Sequence, residues 1–144
     1  MLERKMSKNK EKDIYAIRFE EGKHYKLYGN DYHLLLPRTM TERLESELVE
    51  MKAGCKTPNH KHEDEEQVYI ILKGKARLDI DGKSKEVSEG MLAYIPRNTY
   101  HRITAYEDLA YVYIACWPEG KVPPIKTEEE LREYERKLVT GDLG

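Results

Sequence analysis

Three histidines are the residues of this chain best suited to chemistry. His60 and His62 stand two positions apart in the stretch PNHKHEDEEQ, and His101 follows in the stretch PRNTYHRI. Alternate residues of a β-strand point to the same face, so His60 and His62 can direct two imidazoles at one point. Neutral imidazole is the commonest nitrogen ligand of transition metals in proteins. The pattern therefore predicts a metal site, provided that the fold brings His101 to the same point.

Short strand-like runs must position these histidines. Runs of five to nine residues rich in Val, Ile and Tyr fill most of the chain and are too short for a helical core. Asp81-Gly82 predicts a two-residue type I′ hairpin, because both central residues of that turn need a positive φ. Many short strands with regular turns favour a sandwich or a barrel. The predicted strands are IYAIRF (14–19), YHLLL (32–36), VYIILK (68–73), ARLDI (76–80), MLAYIP (91–96) and LAYVYIACW (109–117).

The segment TERLESELVEMKAG, residues 41–54, fits two interpretations. A helix would place Leu44, Leu48 and Met51 on one side. A strand would have an irregular alternation of apolar and polar residues. Periodicity does not decide between them, although the position directly before the histidines favours a strand.

The stretch from Gly54 to Gly74 resembles the first motif of the cupin superfamily, G-x5-H-x-H-x3,4-E-x6-G. Five residues separate Gly54 from His60, and Gln67 takes the acidic position, six residues before Gly74. The motif also allows Glu66 as the acidic residue, but only Gln67 keeps the six-residue step to Gly74. Gln67 is the only glutamine in the chain.

A later stretch, GMLAYIPRNTYHRITA (residues 90–105), resembles the second cupin motif, G-x5-P-x-G-x2-H-x3-N. Asn98 takes the place of a glycine, which is a mild change because Asn tolerates the left-handed region. Ala105 replaces the final Asn, so the amide that could tie down the backbone there is absent. The spacing is kept by Gly90, Pro96 and His101.

The resemblance implies an all-β fold, the double-stranded β-helix or cupin jelly-roll barrel, with one metal inside it. In the family, the two histidines and the acid of the first motif and the histidine of the second ligate that metal. Carried over, the ligands are His60, His62, His101 and Gln67, with Glu66 as the alternative to Gln67. The implied cofactor is one divalent transition metal (Fe, Mn, Zn, Ni or Cu), and the motifs leave its identity open.

An amide in the ligand set would change the properties of the metal. Amide oxygen is a neutral and weaker donor than carboxylate, so three imidazoles and Gln67 leave a divalent ion with its full +2 charge. Such an ion is a stronger Lewis acid than one with a carboxylate ligand. It also disfavours the trivalent state, so redox cycling is less favoured than with a glutamate.

The resemblance implies a small-molecule metalloenzyme similar to dioxygenases, decarboxylases or sugar-phosphate isomerases, with a dioxygenase-like oxidoreductase as one form. The alternative is a non-catalytic cupin that binds a sugar-like molecule or an organic acid, with or without metal. No residue stands out as a general base, so no further catalytic residue is assigned. Aromatic and basic residues on strands or beside His101 are candidates for contact with the small molecule: Tyr69, Tyr94, Arg97, Tyr100, Arg102 and Tyr113.

Composition argues against nucleic-acid and membrane partners. The net charge is -2 and the pI about 6.2, without a basic footprint. No apolar run has the length of a membrane span, and the first 13 residues contain no apolar signal-peptide segment. Cys55 and Cys116 form no disulfide framework, so we expect a reducing, cytoplasmic environment. Charged residues make up 36% of the chain while amides are scarce, which predicts a thermophilic protein.

The chain length predicts one domain with additions at both ends. Residues 1–13 are expected to be a mobile lead-in, residues 14–117 the barrel, residues 118–126 a Pro/Gly linker and residues 127–139 a helix. Thr127 and Glu130 form a capping-box pattern, and an apolar stripe follows at Leu131, Tyr134 and Leu138. We expect the helix to pack on the barrel or on a partner subunit, and the resemblance implies a homodimer.

Overall fold

The computed structural model describes residues 13–138, and in this part nine strands form two antiparallel sheets. The larger sheet has the order β1-β2-β3-β9-β4-β7 and the smaller one the order β6-β5-β8. The two sheets enclose one core, which confirms the predicted jelly-roll barrel. The strands are β1 (Lys23–Leu27), β2 (Asn30–Leu36), β3 (Leu44–Met51), β4 (Glu66–Lys73), β5 (Lys75–Ile80), β6 (Lys83–Ser88), β7 (Leu92–Ile95), β8 (His101–Ala105) and β9 (Leu109–Cys116).

Two short 3-10 helices, Phe19–Glu21 and Arg38–Met40, flank the first hairpin. The first of them replaces the end of the strand predicted over residues 14–19, a segment that joins neither sheet. That strand prediction was wrong. Its residues are mostly exposed, with Ile14 89% accessible, so the apolar residues there have no sheet to bury against.

The segment before the histidines is strand β3, and the helical interpretation was wrong. Strand β3 lies between β2 and β9, and pairs with β9 along its full length. Its inward residues include two carboxylates, Glu45 and Glu47, followed by Val49 and Met51. The inward row therefore begins polar and ends apolar, which explains why the sequence shows no clean alternation.

Tight turns give the strands their register. Asp81 and Gly82 both have positive φ, 46° and 82°, as the predicted type I′ hairpin requires. At Gly74, φ is 90° and a Cβ atom would lie 2.3 Å from the carbonyl oxygen of Asp108, so only glycine fits between β4 and β5. Asn98 has a φ of 59° and occupies the left-handed region that its place in the motif predicts.

One helix in the described part of the chain, α1 (Glu128–Leu138), follows the barrel. The hydroxyl of Thr127 accepts the backbone N–H of Glu130, and the Glu130 carboxylate accepts the N–H of Thr127, which completes the predicted capping box. Leu131 packs against the core of the barrel. The predicted helix residue 139 and the first 12 residues of the predicted lead-in lie outside the described residues. Within residues 13–138, each helix is too short or too polar to span a bilayer.

Candidate metal centre

A backbone pairing outside the main ladders positions the first histidine. Residues 54–60 run antiparallel to β8, with bridges at Lys56–Thr104 and His60–His101. His60 and His101 exchange two backbone hydrogen bonds, of 3.1 and 2.8 Å. The N–H of Asn98 donates to the carbonyl of His62 over 2.7 Å and ties the turn before β8 to the same segment.

The side chains of His60, His62 and His101 meet inside the barrel. Each histidine offers a nitrogen such that the three atoms lie within 4.8 Å of one another. The side chains are buried, with 6%, 5% and 1% of the residue surface exposed. Three convergent imidazoles at this separation form a group able to hold one metal ion.

Backbone acceptors fix the tautomers of two of these rings. Nδ1–H of His60 donates to the carbonyl of Pro58 over 2.8 Å, and Nδ1–H of His101 donates to that of Thr99 over 3.1 Å. Each ring therefore keeps the lone pair of Nε2 for a ligand. Nε2 of His101 is buried and has no hydrogen-bond partner among the described residues. A buried nitrogen with a free lone pair and no hydrogen-bond donor nearby is suited to bind a cation.

Burial keeps the three rings neutral, as metal ligation requires. It lowers the pKa of His60 to about 4 and that of His101 to about 3. Burial, followed by the nearby His60 and His101, lowers the pKa of His62 well below its usual value. Neutral imidazole is the form that ligates metal, so the donor set fits a divalent transition metal near neutral pH.

Gln67 lines the same cavity as His60 and His62, whereas Glu66 does not. The Nε2 amide of Gln67 donates a hydrogen bond to Oε2 of Glu65 over 2.5 Å. The amide oxygen of Gln67 is therefore the atom that can ligate a metal. Glu66 is the preceding residue of β4 and points to the opposite face of the sheet. There it accepts the Tyr94 hydroxyl over 2.7 Å and lies 3.7 Å from Arg97. Glu66 therefore lies outside the cavity that Gln67 shares with His60 and His62.

Glu65 is a site residue that the sequence interpretation missed. It lies in the acidic run Glu63–Glu66, whose composition is typical of an exposed segment, but Glu65 is only 5% exposed. Its Oε2 lies 3.9 Å from Nδ1 of His62, a buried nitrogen without a hydrogen-bond partner among the described residues. Burial raises the pKa of Glu65 well above its usual value. The signal in the sequence was the period of two, since Glu65 and Gln67 share one face.

The predicted contact residues divide between the inside and the outside of the barrel. Tyr69 and Tyr113 line the cavity that contains His60, His62 and Gln67. Tyr94 is 53% exposed on the outer face. Tyr100 lies beneath the ammonium of Lys61, and the Arg102 guanidinium donates to the carbonyl of Thr57 over 3.2 Å. The structure does not bring Tyr94, Arg97, Tyr100 or Arg102 to the cavity wall.

The wall of this cavity consists mainly of tyrosines, together with hydrogen-bond acceptors and one turn of α1. None of its described lining residues is a lysine or an arginine. Leu131 and Glu135 of α1 form part of the wall. Besides His60, His62, Gln67 and Thr57, the lining residues are Tyr25, Leu27, Tyr28, Tyr32, Tyr69, Tyr111, Tyr113, Leu131 and Glu135.

A second polar cluster lies beside the cavity and shares Tyr25 with it. Arg38 and Glu45, both buried, form an ion pair at 2.6 Å. Glu47, 1% exposed, accepts the hydroxyl of Tyr25. Burial, and then the charge of Glu45, raises the pKa of Glu47 well above its usual value. The sequence interpretation missed this cluster, because two carboxylates at alternate positions of a strand normally indicate a solvated face.

The cupin-domain family model matches residues 47–116, a segment that contains the three histidines and Gln67. This chain is a member of the cupin superfamily. The resemblance inferred from the two motifs is thus confirmed. The family supports a general metal-binding cupin, and the buried histidine group is the part of this cupin able to bind the ion.

Two curated relatives and one solved structure are similar to this cupin. It is 33% identical over 76 residues to the uncharacterised protein MJ1618 of Methanocaldococcus jannaschii, a match covering 53% of this chain and 58% of that protein. It is 28% identical over 141 residues to the quercetin 2,3-dioxygenase of Bacillus subtilis, covering 86% of this chain and 42% of the dioxygenase. The matches thus span about half the length of these relatives.

The fold is also similar to that of a predicted oxalate decarboxylase from Thermotoga maritima. The TM-score is 0.67 at 18% sequence identity, and the match covers 72% of this chain and all of the other. At this identity the similarity concerns the fold, and the chemistry must be argued from the site itself.

Proposed function

We propose that this cupin is a metal-dependent enzyme that acts on a small, neutral organic substrate bearing hydroxyl groups. The observation that carries the proposal is the group of three buried, neutral histidines, two of which, His62 and His101, have a buried ring nitrogen without a hydrogen-bond partner among the described residues. When bound there, a divalent transition metal supplies Lewis-acid polarisation of a substrate oxygen or a site for O₂ chemistry. His60, His62 and His101 would hold it, with the amide oxygen of Gln67 as the fourth donor.

The cavity wall supports the proposed class of substrate. Tyrosine offers an apolar ring for contact and a hydroxyl that can donate to or accept from a substrate hydroxyl. The rings of Tyr69 and Tyr111 lie 4.7 Å apart between centroids, tilted by 30°, and both line the cavity beside the histidines as an apolar surface. The carboxylates of Glu65 and Glu135 stand nearby without a lining lysine or arginine. This combination favours hydroxyl groups over anionic substrates.

Among the reaction classes implied by the family, we propose dioxygenase-like chemistry before decarboxylase-like or isomerase-like chemistry. The similarity to quercetin 2,3-dioxygenase extends over 86% of this chain. A neutral, hydroxyl-bearing molecule also suits the wall described above better than a dicarboxylate does. The similarity to a predicted oxalate decarboxylase is one of fold and carries less weight.

The alternative proposal is a cupin that binds a small molecule without converting it. The observation that favours it is the burial of all three histidines in a cavity that α1 also lines, which limits access to the site. Tight binding of a ligand without turnover, in protein loaded with metal, would support this alternative.

Cytoplasmic location and heat adaptation remain predictions from composition.

The test is metal content per chain, measured by elemental mass spectrometry on untagged protein. We expect near-stoichiometric metal in the wild type and loss of it in His101→Ala. His33→Ala is the matched control, because His33 is a strand histidine that pairs with Glu50 on the outer surface. Metal-loaded protein is then assayed with hydroxylated aromatic substrates under O₂. No metal after reconstitution with several ions would contradict the proposed function.

A further inference from the structure

The C-terminal helix contributes to the wall of the histidine cavity. Leu131 and Glu135 are one helical turn apart, so they lie on the same face of α1. Both line the cavity that also contains His60, His62 and Gln67. The guanidinium of Arg132 donates to the backbone carbonyl of Lys26 over 2.9 Å and holds this turn of the helix against β1.

Glu135 brings a carboxylate to this cavity. The Tyr28 hydroxyl donates to Oε1 of Glu135 over 2.9 Å. The ring of Tyr28 lies 6.2 Å from that of His60, measured between centroids, so one tyrosine separates the carboxylate from the histidine group. Burial raises the pKa of Glu135 to about 7. The described residues that line the cavity include no lysine or arginine, and Arg38, which acts on the carboxylate electrostatically from the neighbouring cluster, is already paired with Glu45.

The ligand set of the proposed metal site lacks a charge of the opposite sign. Three neutral imidazoles and the amide of Gln67 leave a divalent ion with its full charge inside a buried cavity, which is costly without a nearby anion. Glu65, which accepts the Gln67 amide, is one buried carboxylate beside the ligands, and Glu135 brings a second one to the wall of the cavity. Its attraction to the ion is strong because the surrounding medium is poorly polarisable.

We propose that Glu135 is the carboxylate partner of the cation held by the three histidines, so that α1 is part of the metal centre. The inference rests on the proposed metal site and goes beyond it, because Glu135 comes from a helix outside both motifs. Glu135 is not one of the three histidines that would ligate the ion. Its carboxylate would instead offset the charge of the ion and influence which molecule binds at the ion's open coordination position.

Reciprocal coupling follows from this arrangement. If Glu135 on the docked helix increases the affinity for metal, then bound metal must stabilise the docked helix by the same factor. The alternative explanation is that Glu135 serves only to dock α1 through its hydrogen bond to Tyr28. The two explanations predict different metal affinities when the charge of Glu135 and its hydrogen bond to Tyr28 are removed separately.

The first experiment measures the affinity for Co²⁺ by competition with a chromophoric chelator. Glu135→Gln removes the charge but keeps an acceptor for Tyr28, and we expect a roughly 10- to 100-fold loss of affinity. Tyr28→Phe removes the docking bond but keeps the charge. Glu133→Gln is the matched control, since Glu133 is exposed on the same helix and pairs with Arg136. We expect Glu133→Gln to keep the wild-type affinity, and Tyr28→Phe, which weakens docking but keeps the charge, to lose clearly less affinity than Glu135→Gln.

The second measurement is hydrogen exchange of residues 128–138, followed by mass spectrometry with and without Co²⁺. We expect Co²⁺ to slow exchange in the wild type and in Glu133→Gln, but not in Glu135→Gln. Wild-type affinity in Glu135→Gln, or an equal loss in Tyr28→Phe, would overturn the role of Glu135 and leave the histidine site intact. A wild type that binds no Co²⁺ would instead overturn the metal site itself.

Discussion

His60 and His101 face each other across an antiparallel backbone bridge, and this pairing sets their imidazole rings 4.2 Å apart between centroids. Two reciprocal backbone hydrogen bonds, of 3.1 and 2.8 Å, hold the bridge. The main chain therefore positions the two rings. Donors fixed on paired strands need little reorganisation when they bind an ion.

Replacing Gln67 by glutamate should raise metal affinity and destabilise the metal-free protein. Gln67→Glu places a second carboxylate against the buried Glu65, in a contact that is now a hydrogen bond of 2.5 Å. Without metal, two adjacent carboxylates repel each other or must share a proton. With metal, the added charge offsets that of the ion. We expect at least about tenfold tighter Co²⁺ binding together with a lower melting temperature of the metal-free protein.

The control for this substitution is Gln67→Met, which keeps the approximate size of the side chain without its oxygen donor. We expect weaker Co²⁺ binding in this variant. Equal affinity in wild type, Gln67→Glu and Gln67→Met, tested with several ions, would show that residue 67 is not a ligand.

Glu47→Gln should stabilise the protein increasingly as the pH rises. Burial and the charge of Glu45 raise the pKa of Glu47 in the folded state. The folded protein therefore holds a proton that the unfolded chain releases, and stability falls as the pH rises above the unfolded value of 4.5 towards the folded pKa. The amide imitates the protonated carboxyl and removes this loss, which amounts to roughly 1.4 kcal/mol per pH unit.

The measurement is urea unfolding of the metal-free protein from pH 5 to pH 9. The difference between Glu47→Gln and the wild type should vanish near the acid end and grow with pH. Glu50→Gln is the matched control on the same strand, because Glu50 lies on the exposed face. A difference between Glu47→Gln and the wild type that is independent of pH would show that Glu47 is ionised in the folded protein.

The sequence was informative where local chemistry decides the structure. The Asp81-Gly82 hairpin, the capping box at Thr127 and the left-handed Asn98 all follow from backbone preferences of single residues. The histidines were found through two motif spacings, and these depend on the strand pairing of one fold. Periodicity alone would not have brought His101 to His60.

The carboxylates of the interior were not predictable in the same way. Glu45, Glu47 and Glu65 break the rule that charged residues face water. Glu45 pairs with Arg38 of a 3-10 helix and Glu47 with Tyr25 of β1, and these contacts exist only once the chain has folded. Glu135 depends on how α1 docks on the barrel. That docking is a tertiary contact between elements more than 100 residues apart, as the bond between Tyr28 and Glu135 shows.

The outer face of the larger sheet carries an apolar patch, and we expect it to be the interface of a homodimer. Val68 of β4 stands between Tyr94 and Ile114 in the strand register, and Ile70 stands between Leu92 and Val112. Leu92 is 62% exposed and Tyr94 is 53% exposed. A contiguous exposed apolar patch of this kind marks an interaction surface. Two antiparallel copies of one patch can form a closed two-fold interface.

A charge in the centre of this patch should dissociate the dimer. Ile70→Lys places an ammonium between Leu92 and Val112, where a dimer would bury it unpaired at a cost of several kcal/mol. Sedimentation equilibrium should show a dimer for the wild type and a monomer for Ile70→Lys. Glu86→Lys adds a lysine to an exposed position of β6 in the smaller sheet and should remain dimeric. A dimeric Ile70→Lys, or a monomeric wild type, would contradict this assignment of the interface.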